Sequence, residues 1–444
     1  MTIGAIHPQI IRFALPLIAG NLFQQLYNTS DCIIVGNYVG KEALAAIGST
    51  GSLINAIIGF FMGLAAGGSI VISQNYGAHN TIQVRRTIHT MILGSFIAGA
   101  AAIFLGRAAA PHILRFMSTP DDVFGMAYTY LKIYFTGALF QMVYNVAAGI
   151  LRALGDSTRP LYFLIVSSVL NVALDLLFVI GLKKGIAGAA YATIISQAIS
   201  MLLVLAVMFL TNELYRLSLR EMKIDRKSLQ RVLTLGLPGG IQMAITAFSN
   251  VFVQGYINRF GSACMAGWSC FNKIDQVSLL PIQSVSLGAT TFVGQNYGAR
   301  NFKRVKEGTA TSLQLAFIWT IMLICIFELA PALLIGMFNR DPMVLYYGKF
   351  FLRVGAPFYL FRILNQVFAG ALRGLGNALA PTIVMLSSFV VFRQVYLFTI
   401  THLTDSFIPI SLAYPAGWFM CGILMVIVHT AYSRRLIAHK ENVM

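Results

Sequence analysis

The sequence predicts an all-α integral membrane protein, because it is strongly apolar, because apolar segments of spanning length recur, and because its two halves repeat one another. Of the 444 residues, 57% are hydrophobic and 11% are charged, whereas soluble domains are nearer one half and one quarter. A helix that crosses a bilayer needs ~20 apolar residues. About twelve such segments occur, numbered here as spans one to twelve: 10–34, 53–72, 88–105, 134–150, 162–180, 189–210, 232–253, 277–293, 313–337, 354–372, 383–400 and 408–431.

The basic residues predict how these spans are oriented. The formal net charge is +17. If the N-terminus is cytoplasmic and the spans alternate, 19 of the 32 basic residues fall in cytoplasmic segments, about twice as many as in outer segments. This is the positive-inside pattern, and the surplus charge faces anionic lipid. We therefore expect a multi-pass protein with both termini cytoplasmic, in contact with membrane lipid and not with nucleic acid.

An internal repeat relates the two halves of the chain. The pentapeptide QNYGA occurs at 74–78 and again at 295–299, and AGILRALGDSTRP at 148–160 matches AGALRGLGNALAP at 369–381. The offset is 221 residues in both cases, and it stays nearly constant from the first span to the fifth. The repeat predicts two homologous six-helix lobes, 1–210 and 232–444, joined by a basic cytoplasmic linker, 211–231.

The even number of spans in each lobe predicts that the repeats are parallel, related by a pseudo-two-fold axis along the membrane normal. Transporters with repeated halves bind substrate near the bilayer midplane and alternate access by moving one half against the other. Pro16 and Pro238, in spans one and seven, free backbone groups and allow bends, so Pro16 is a gating candidate. Both QNYGA copies predict a turn, in which Asn and Gly supply left-handed backbone, or alternatively a hinge.

Span one carries a polar stripe on an otherwise apolar helix. Asn21, Gln24, Asn28 and Asp31 recur at helical spacing and share one face. A carboxylate inside a span costs roughly 3 kcal/mol on insertion scales, so it usually faces the protein interior and has a function. The matching position of span seven is Val253. The acid therefore belongs to one lobe only.

Spans five and six extend this asymmetry. Asn171 and Asp175 are four residues apart on one face of span five, whereas the matching positions of span eleven are Phe392 and Tyr396. Span six adds polar residues that include Tyr191 and Thr193. If spans one, five and six pack together, the predicted site combines two acids with Asn171 and Thr193. Carboxyls buried without a cation can carry a proton across the membrane, and such oxygens also bind a hard cation such as Na⁺.

The second lobe offers different polar residues. Span seven keeps part of the stripe in Gln242 and Asn250, which are candidates for a substrate cavity or for gating. Asp275 in span eight is a further candidate, but this lobe also contains cations that can neutralise it. We expect a structural ion pair between Asp275 and either Arg393 or Lys273.

These features together resemble the multidrug and toxic compound extrusion (MATE) transporters. The resemblance rests on the two six-helix lobes, on QNYGA in both, on LRALGDSTRP with LRGLGNALAP, and on NTSDCIIVG at 28–36. It covers essentially the whole chain and is closest to the prokaryotic DinF-type branch and related bacterial multidrug exporters. It implies a secondary antiporter of a prokaryotic cell (inner) membrane, which exports amphipathic, often cationic, drugs and toxic compounds in exchange for H⁺ or Na⁺.

The same resemblance implies a cation site in the N-terminal lobe. The residues that match the DinF-type site are Pro16, Gln24, Asp31, Asn171, Asp175 and Thr193. The NorM-type branch instead has acids in spans seven and ten. Here Arg362 lies in span ten and Arg353 directly precedes it, which argues against a NorM-like sodium site.

Two other functional classes stay open from the sequence. A flippase for lipid-linked oligosaccharides or lipids, in the same superfamily, would need a basic cavity, and four cations lie within spans or just before them: Lys273, Arg353, Arg362 and Arg393. A membrane enzyme or receptor is the third class, although a long parallel repeat is not typical of it. The sequence contains no P-loop, dinucleotide fingerprint or nucleophile elbow. We expect no catalysis, no cofactor and no metal site, and a monomer energised by an ion gradient.

Overall fold

The computed structural model describes residues 1–116, 119–404 and 406–441, and over these residues it is helical apart from short connections. The all-α prediction is therefore confirmed. The first half contains seven α-helices, and a π-helical segment, Leu176–Gly181, directly continues the sixth. The α-helices are α1 (Ile6–Tyr38), α2 (Lys41–Gly77), α3 (Thr81–Phe116), α4 (Asp121–Thr136), α5 (Ala138–Ala153), α6 (Thr158–Asp175) and α7 (Gly185–Leu210).

The second half repeats this pattern with more interruptions. A 3₁₀ turn, Ala356–Phe358, breaks span ten, and a π-helical segment, Ser387–Phe392, lies within span eleven. The α-helices are α8 (Arg226–Asn258), α9 (Ser262–Gly298), α10 (Phe302–Leu329), α11 (Pro331–Gly336), α12 (Pro342–Gly355), α13 (Tyr359–Gly374), α14 (Leu379–Leu386), α15 (Arg393–Leu403), α16 (Phe407–Ser411) and α17 (Ala413–Glu441).

The predicted spans lie on these helices. Within the described residues, nine helical segments are long and apolar enough to cross a membrane. A tenth results if α4 and α5, which meet at an angle of 47°, form one broken span. The remaining predicted spans are span one, which carries the polar stripe, and span ten, which contains Arg362 and the 3₁₀ turn. Polar and irregular segments at membrane depth are typical of sites that face the protein interior.

Contacts divide the chain into two compact units. The first unit is Leu15–Gly240, and the second unit combines Met1–Ala14 with Ile241–Met444. These limits differ from the predicted linker 211–231, because α1 and α8 each change unit part-way along their length. Both changes occur within three residues of a proline, Pro16 in α1 and Pro238 in α8.

Hydrogen bonds attach the chain before α1 to the second unit and the start of α8 to the first unit. In the second unit, the Met1 amine donates to Gln295 Oε1 at 2.8 Å, and Arg304 Nη1 donates to the Gly4 carbonyl at 2.8 Å. In the first unit, Arg231 Nη2 donates to Gln74 Oε1 at 2.8 Å. Each QNYGA glutamine therefore accepts a hydrogen bond from a cation that precedes span one or span seven.

Glycines bring α2 and α8 into backbone contact within the first unit. A Cβ added at Gly236 would lie 2.8 Å from Leu64 Cα, and a Cβ at Gly67 would lie 2.5 Å from Gly236 Cα. Gly63 and Gly240 meet in the same way one turn along. Two glycines four residues apart on each helix allow such close packing in membranes.

The QNYGA copies do form turns, but the residues with left-handed backbone are not those predicted. Gly77 and Gly298 are the last residues of α2 and α9. The positive φ angles fall two residues later, at His79 (54°) and Arg300 (56°). The motif asparagines stay helical and bond to carbonyls one turn back, as Asn75 Nδ2 does to Val71 O at 2.9 Å. The motif therefore ends a helix, and the residues after it make the turn.

Candidate functional site

Two acids meet inside the first unit, where α1, α6 and α7 come together. The Asp31 carboxyl adjoins the Asp175 carboxyl and the Thr193 hydroxyl. Asp31 is 8% exposed and Asp175 is fully buried. Asn171 lies one turn before Asp175 on the same face of α6 and is also buried. The structure thus brings together the acids that the sequence places 144 positions apart.

The oxygens of this acid pair lack donors. Among the described residues, Asp31 Oδ1, both Asp175 oxygens and both ends of the Asn171 amide have no hydrogen-bond partner. No ion pair within that part of the chain joins either acid to a basic side chain. Buried polar atoms are nearly always satisfied in folded proteins. A bound proton or a small cation would provide what these oxygens need.

Tyrosine side chains surround Asp31. Tyr27 precedes it by one turn on α1, and Tyr130 and Tyr134 approach it from α4. The two α4 rings stack with centroids 6.0 Å apart, and Tyr134 donates to Gln141 Oε1 at 3.2 Å. A tyrosine presents an apolar ring and one polar hydroxyl. The rings therefore exclude solvent from Asp31 and keep polar atoms close to it.

The backbone changes hydrogen-bonding pattern directly after Asp175. The α-helix ends at this residue and the π-helical segment Leu176–Gly181 follows. Short π-helical segments within α-helices occur frequently at functional sites. In the second unit, the π-helical segment Ser387–Phe392 directly precedes the buried Arg393. In each unit, then, one buried charged residue adjoins an interruption of its helix.

The remaining residues proposed from the first lobe are placed differently. Gln24 is half-buried and lies beside Tyr27. Asn28 and Tyr191 are exposed, and the Tyr191 ring lies 5.9 Å from Lys184 Nζ. Pro16 lies inside the continuous helix α1. These four residues surround the acid pair or lie further along its helices.

The sequence predicted an ion pair of Asp275 in the second lobe, but it named the wrong basic partners. Arg362 Nη1 lies 2.6 Å from Asp275 Oδ1, and the Tyr359 hydroxyl bonds to the same oxygen. Neither Arg393 nor Lys273 pairs with this acid; Lys273 Nζ instead lies 5.6 Å from the Phe338 ring. The reason is that α9 packs directly on α13, which carries Arg362. Asp275 is therefore neutralised, in contrast to the acids of the first unit.

Arg393 occupies a separate buried position. It is 3% exposed, and its Nη2 donates to Asn250 Oδ1 at 2.8 Å and to Ser249 Oγ at 3.1 Å. Its guanidinium lies 4.6 Å from the centroid of the Tyr414 ring. Gln242 is also buried and donates to Thr246 Oγ1 at 3.4 Å. Within the described residues, no acid pairs with Arg393, so the second unit keeps a buried positive charge.

Sequence reasoning missed the tyrosines and the true partner of Asp275. Tyr27 and Asp31 are four residues apart, as are Tyr130 and Tyr134, and this spacing was the available signal. Arg362 was recognised as an intramembrane cation, but its pairing depends on which helices pack together. Spacing along one helix does not determine contacts between helices.

Repeated bundles of spanning helices, with buried charged residues inside them, define a multi-pass membrane transporter. Comparison with known families identifies which one. The family model described as MatE matches residues 16–177 and 238–399, one match in each half. The chain belongs to the MatE family.

Two relatives with similar sequences carry multidrug names. The chain is 29% identical over 424 residues to the Probable multidrug resistance protein YoeA of Bacillus subtilis, covering 93% of this chain and 91% of that protein. It is 32% identical over 397 residues to the Probable multidrug resistance protein YpnP of the same organism, covering 88% of each.

Solved structures share the fold. A multidrug resistance MATE family transporter in an outward-facing conformation superposes with a TM-score of 0.91, at 23% identity, over 98% of this chain and 97% of that one. A transporter of the MOP superfamily from Pyrococcus furiosus, described as having a binding pocket of reverse polarity, gives a TM-score of 0.92 at 23% identity over the same shares.

Proposed function

We propose that the protein is a secondary efflux antiporter that exports amphipathic, cationic organic compounds in exchange for H⁺, with Na⁺ as the alternative coupling ion. One observation carries the proposal. Asp31 and Asp175 adjoin one another, are buried, and have no basic partner in the described chain. Membership of the MatE family and the multidrug names of the relatives support the export of small organic compounds.

The coupling follows from the electrostatics of two close carboxyls. Two negative charges at short distance in a poorly polarisable medium repel strongly, so the pair holds a proton unless another cation replaces it. A substrate cation that binds in the same lobe competes with that proton. Exchange of one proton for one monovalent cation moves no net charge, so the pH difference drives it, at about 1.4 kcal/mol for each tenfold difference in proton concentration.

Na⁺ is the alternative because the available atoms are oxygens. Hard cations prefer carboxylate, carbonyl and hydroxyl ligands. Near the acids, Asn171 Oδ1, Ser196 Oγ and Gln197 Oε1 also lack partners among the described residues. A proton needs only one of these oxygens, whereas Na⁺ would draw several of them together.

The membrane arrangement completes the proposal. The charge distribution supports a prokaryotic cell membrane location with both termini cytoplasmic. The two homologous lobes would alternate access about the changes of unit in α1 and α8, where Pro16 and Pro238 lie. We propose that one chain suffices for transport.

The test is gradient-driven flux in proteoliposomes. Purified protein is reconstituted with an imposed pH or Na⁺ gradient, and transport of ethidium is followed by fluorescence. Asp31→Asn and Asp175→Asn should each abolish gradient-driven flux. Asp122→Asn, which removes an exposed acid from the same unit, is the matched control and should transport normally. Wild-type rates in both site variants would refute the proposed coupling site.

A second candidate is a flippase for lipid-linked oligosaccharides or lipids, and the buried charge of Arg393 favours it. An intramembrane cation without an acidic partner usually faces a ligand or a transport path. One variant distinguishes a flippase from an antiporter. Arg393→Gln should abolish translocation of a lipid-linked pyrophosphate sugar if the protein is a flippase, and should leave gradient-driven ethidium flux measurable if it is an antiporter.

A further inference from the structure

A basic pocket lies where the linker meets the beginning of α3, in the first unit. It has a volume of about 530 Å³ and its walls come from α3 and from residues 220–225. The basic side chains that line it are Arg85, Arg86, Arg220 and Lys223. None of these belongs to the acid-pair site, and neither the family membership nor the proposed antiport assigns them a role.

The pocket is lined by four basic and two acidic side chains, so it carries a net positive charge. Glu221 lies 3.9 Å from Arg85, its nearest ion-pair partner. Asp225 Oδ2 accepts from the backbone N–H and the hydroxyl of Ser228, both at 2.8 Å, and so caps α8. No ion pair within the described chain engages Arg86, Arg220 or Lys223. The pocket is therefore complementary to an anion.

Hydrogen bonds fix the linker against α3 and so shape the pocket in advance. Thr90 Oγ1 accepts from the Asp225 N–H at 2.9 Å, and His89 Nε2 accepts from the Ser218 N–H at 3.1 Å. Gln83 Nε2 donates to Ser228 Oγ at 2.8 Å. A preformed site binds with less loss of conformational entropy than one that must be ordered.

An apolar cavity of about 340 Å³ lies beside this pocket, between α2, α3, α4, α5 and the start of α8. Its walls are almost entirely apolar, formed by side chains such as Phe61, Ala98, Met142 and Val232. Gly94 opens one side, because a Cβ added there would have no atom within 4 Å. The cavity suits a hydrocarbon chain and not a polar compound.

The two spaces are adjacent. Ile224 lines both of them, and Thr90 in the apolar cavity directly follows His89 in the basic pocket. Along α3 the cavity extends from Thr90 to Ala102, which is about 18 Å at the rise of an α-helix. That length is close to the depth of one leaflet, half of the ~30 Å hydrocarbon core.

We propose that this composite cavity is a binding site for one anionic glycerophospholipid, with the phosphate headgroup in the basic pocket and an acyl chain in the apolar cavity. The anionic headgroup would lie among Arg86, Arg220 and Lys223 and offset part of their positive charge. The chain fills the space between α2, α3 and α5. Basic pockets at the membrane surface bind anionic headgroups in other membrane proteins. A lipid cation or a cationic drug does not fit, because the mouth of the cavity repels it.

Native mass spectrometry of the full-length protein tests this site. The protein is titrated with phosphatidylglycerol and, separately, with phosphatidylcholine. We expect one tightly bound phosphatidylglycerol, at least about tenfold preferred over phosphatidylcholine. Arg86→Gln with Lys223→Gln should weaken binding about 30-fold, as expected for two charges lost near an anionic group. Equal affinity for the two lipids would overturn the proposal.

Two further variants separate the headgroup from the chain. Lys303→Gln with Lys306→Gln removes two exposed charges from the matching position of the second lobe and should leave binding unchanged. Gly94→Leu fills the apolar cavity, favours the helix, and should also release the lipid. If Gly94→Leu binds normally and inorganic phosphate displaces the lipid, the pocket binds soluble anions only and the lipid site is wrong. Melting temperatures show whether each variant is folded.

Discussion

The contact between α2 and α8 is the part of the fold most sensitive to a single methyl group. In Gly67→Ala, the new Cβ would lie 2.5 Å from Gly236 Cα and from the Val232 carbonyl oxygen. Ordinary contacts of a Cβ begin near 3.4 Å. The opposing atoms belong to backbone and cannot rotate away, so the helices must separate by about 1 Å locally.

The expected cost follows from overpacking. Adding a methyl group to a tightly packed interface costs about 1–3 kcal/mol. The change from Gly to Ala favours the helix by about 1 kcal/mol, so the net loss is roughly 0–2 kcal/mol, and the clash exceeds the gain at this position. Gly94→Ala is the matched control, because it makes the same chemical change on α3 with no atom within 4 Å.

Thermal unfolding of the purified variants, followed by loss of the monodisperse peak in size-exclusion chromatography, measures the difference. We expect Gly67→Ala to melt below the wild type and Gly94→Ala to melt at or above it. The start of α8 should also detach more readily, so gradient-driven flux should fall in Gly67→Ala alone. Equal melting temperatures for the two variants would refute the backbone contact.

Two further predictions concern ionic groups. Arg362→Met should lower the melting temperature strongly, by the equivalent of about 3–5 kcal/mol, because it leaves the Asp275 carboxylate buried without its cation. Asp275→Asn with Arg362→Met should recover part of the loss. A double variant as unstable as the single one would contradict the pairing. The Ser228 N–H holds the pKa of Asp225 below its usual value of 3.8. Since this pKa is depressed in the folded state, its stabilisation is present above pH ~4 and is lost as the pH falls through the lower, folded value. Asp225→Ala should therefore melt below the wild type at pH 7, with a difference that shrinks towards pH 3; a constant difference would contradict the cap.

Sequence patterns predicted the helices well and their interruptions poorly. Apolar runs of spanning length identified the helical segments, because the bilayer requires both apolar side chains and satisfied backbone. Apolar character alone did not indicate the bend at Gly137, the two π-helical segments or the 3₁₀ turn at Ala356–Phe358, although this turn contains a proline, Pro357. These features change the backbone hydrogen bonds by one residue without changing which side chains are apolar.

In the candidate site, the two acids were predictable from the sequence, whereas the partner of Asp275 was not. Asp31 and Asp175 stood out because the second lobe replaces them with Val253 and Tyr396, and the structure places the two acids side by side. The comparison of halves identified these acids because it detects polar residues that only one copy contains. Asp275 had several cations available, and only the packing of α9 on α13 selects Arg362.

The central claim is that Asp31 and Asp175 hold a proton that a cationic substrate displaces. Proton release by the purified protein tests it directly: ethidium is added in weakly buffered, sodium-free detergent solution near pH 7, and the change in pH is recorded. We expect release by the wild type and by Asp122→Asn, and none by Asp31→Asn with Asp175→Asn. Equal release by that double variant, with ethidium still bound, would show that these two acids are not the source of the proton.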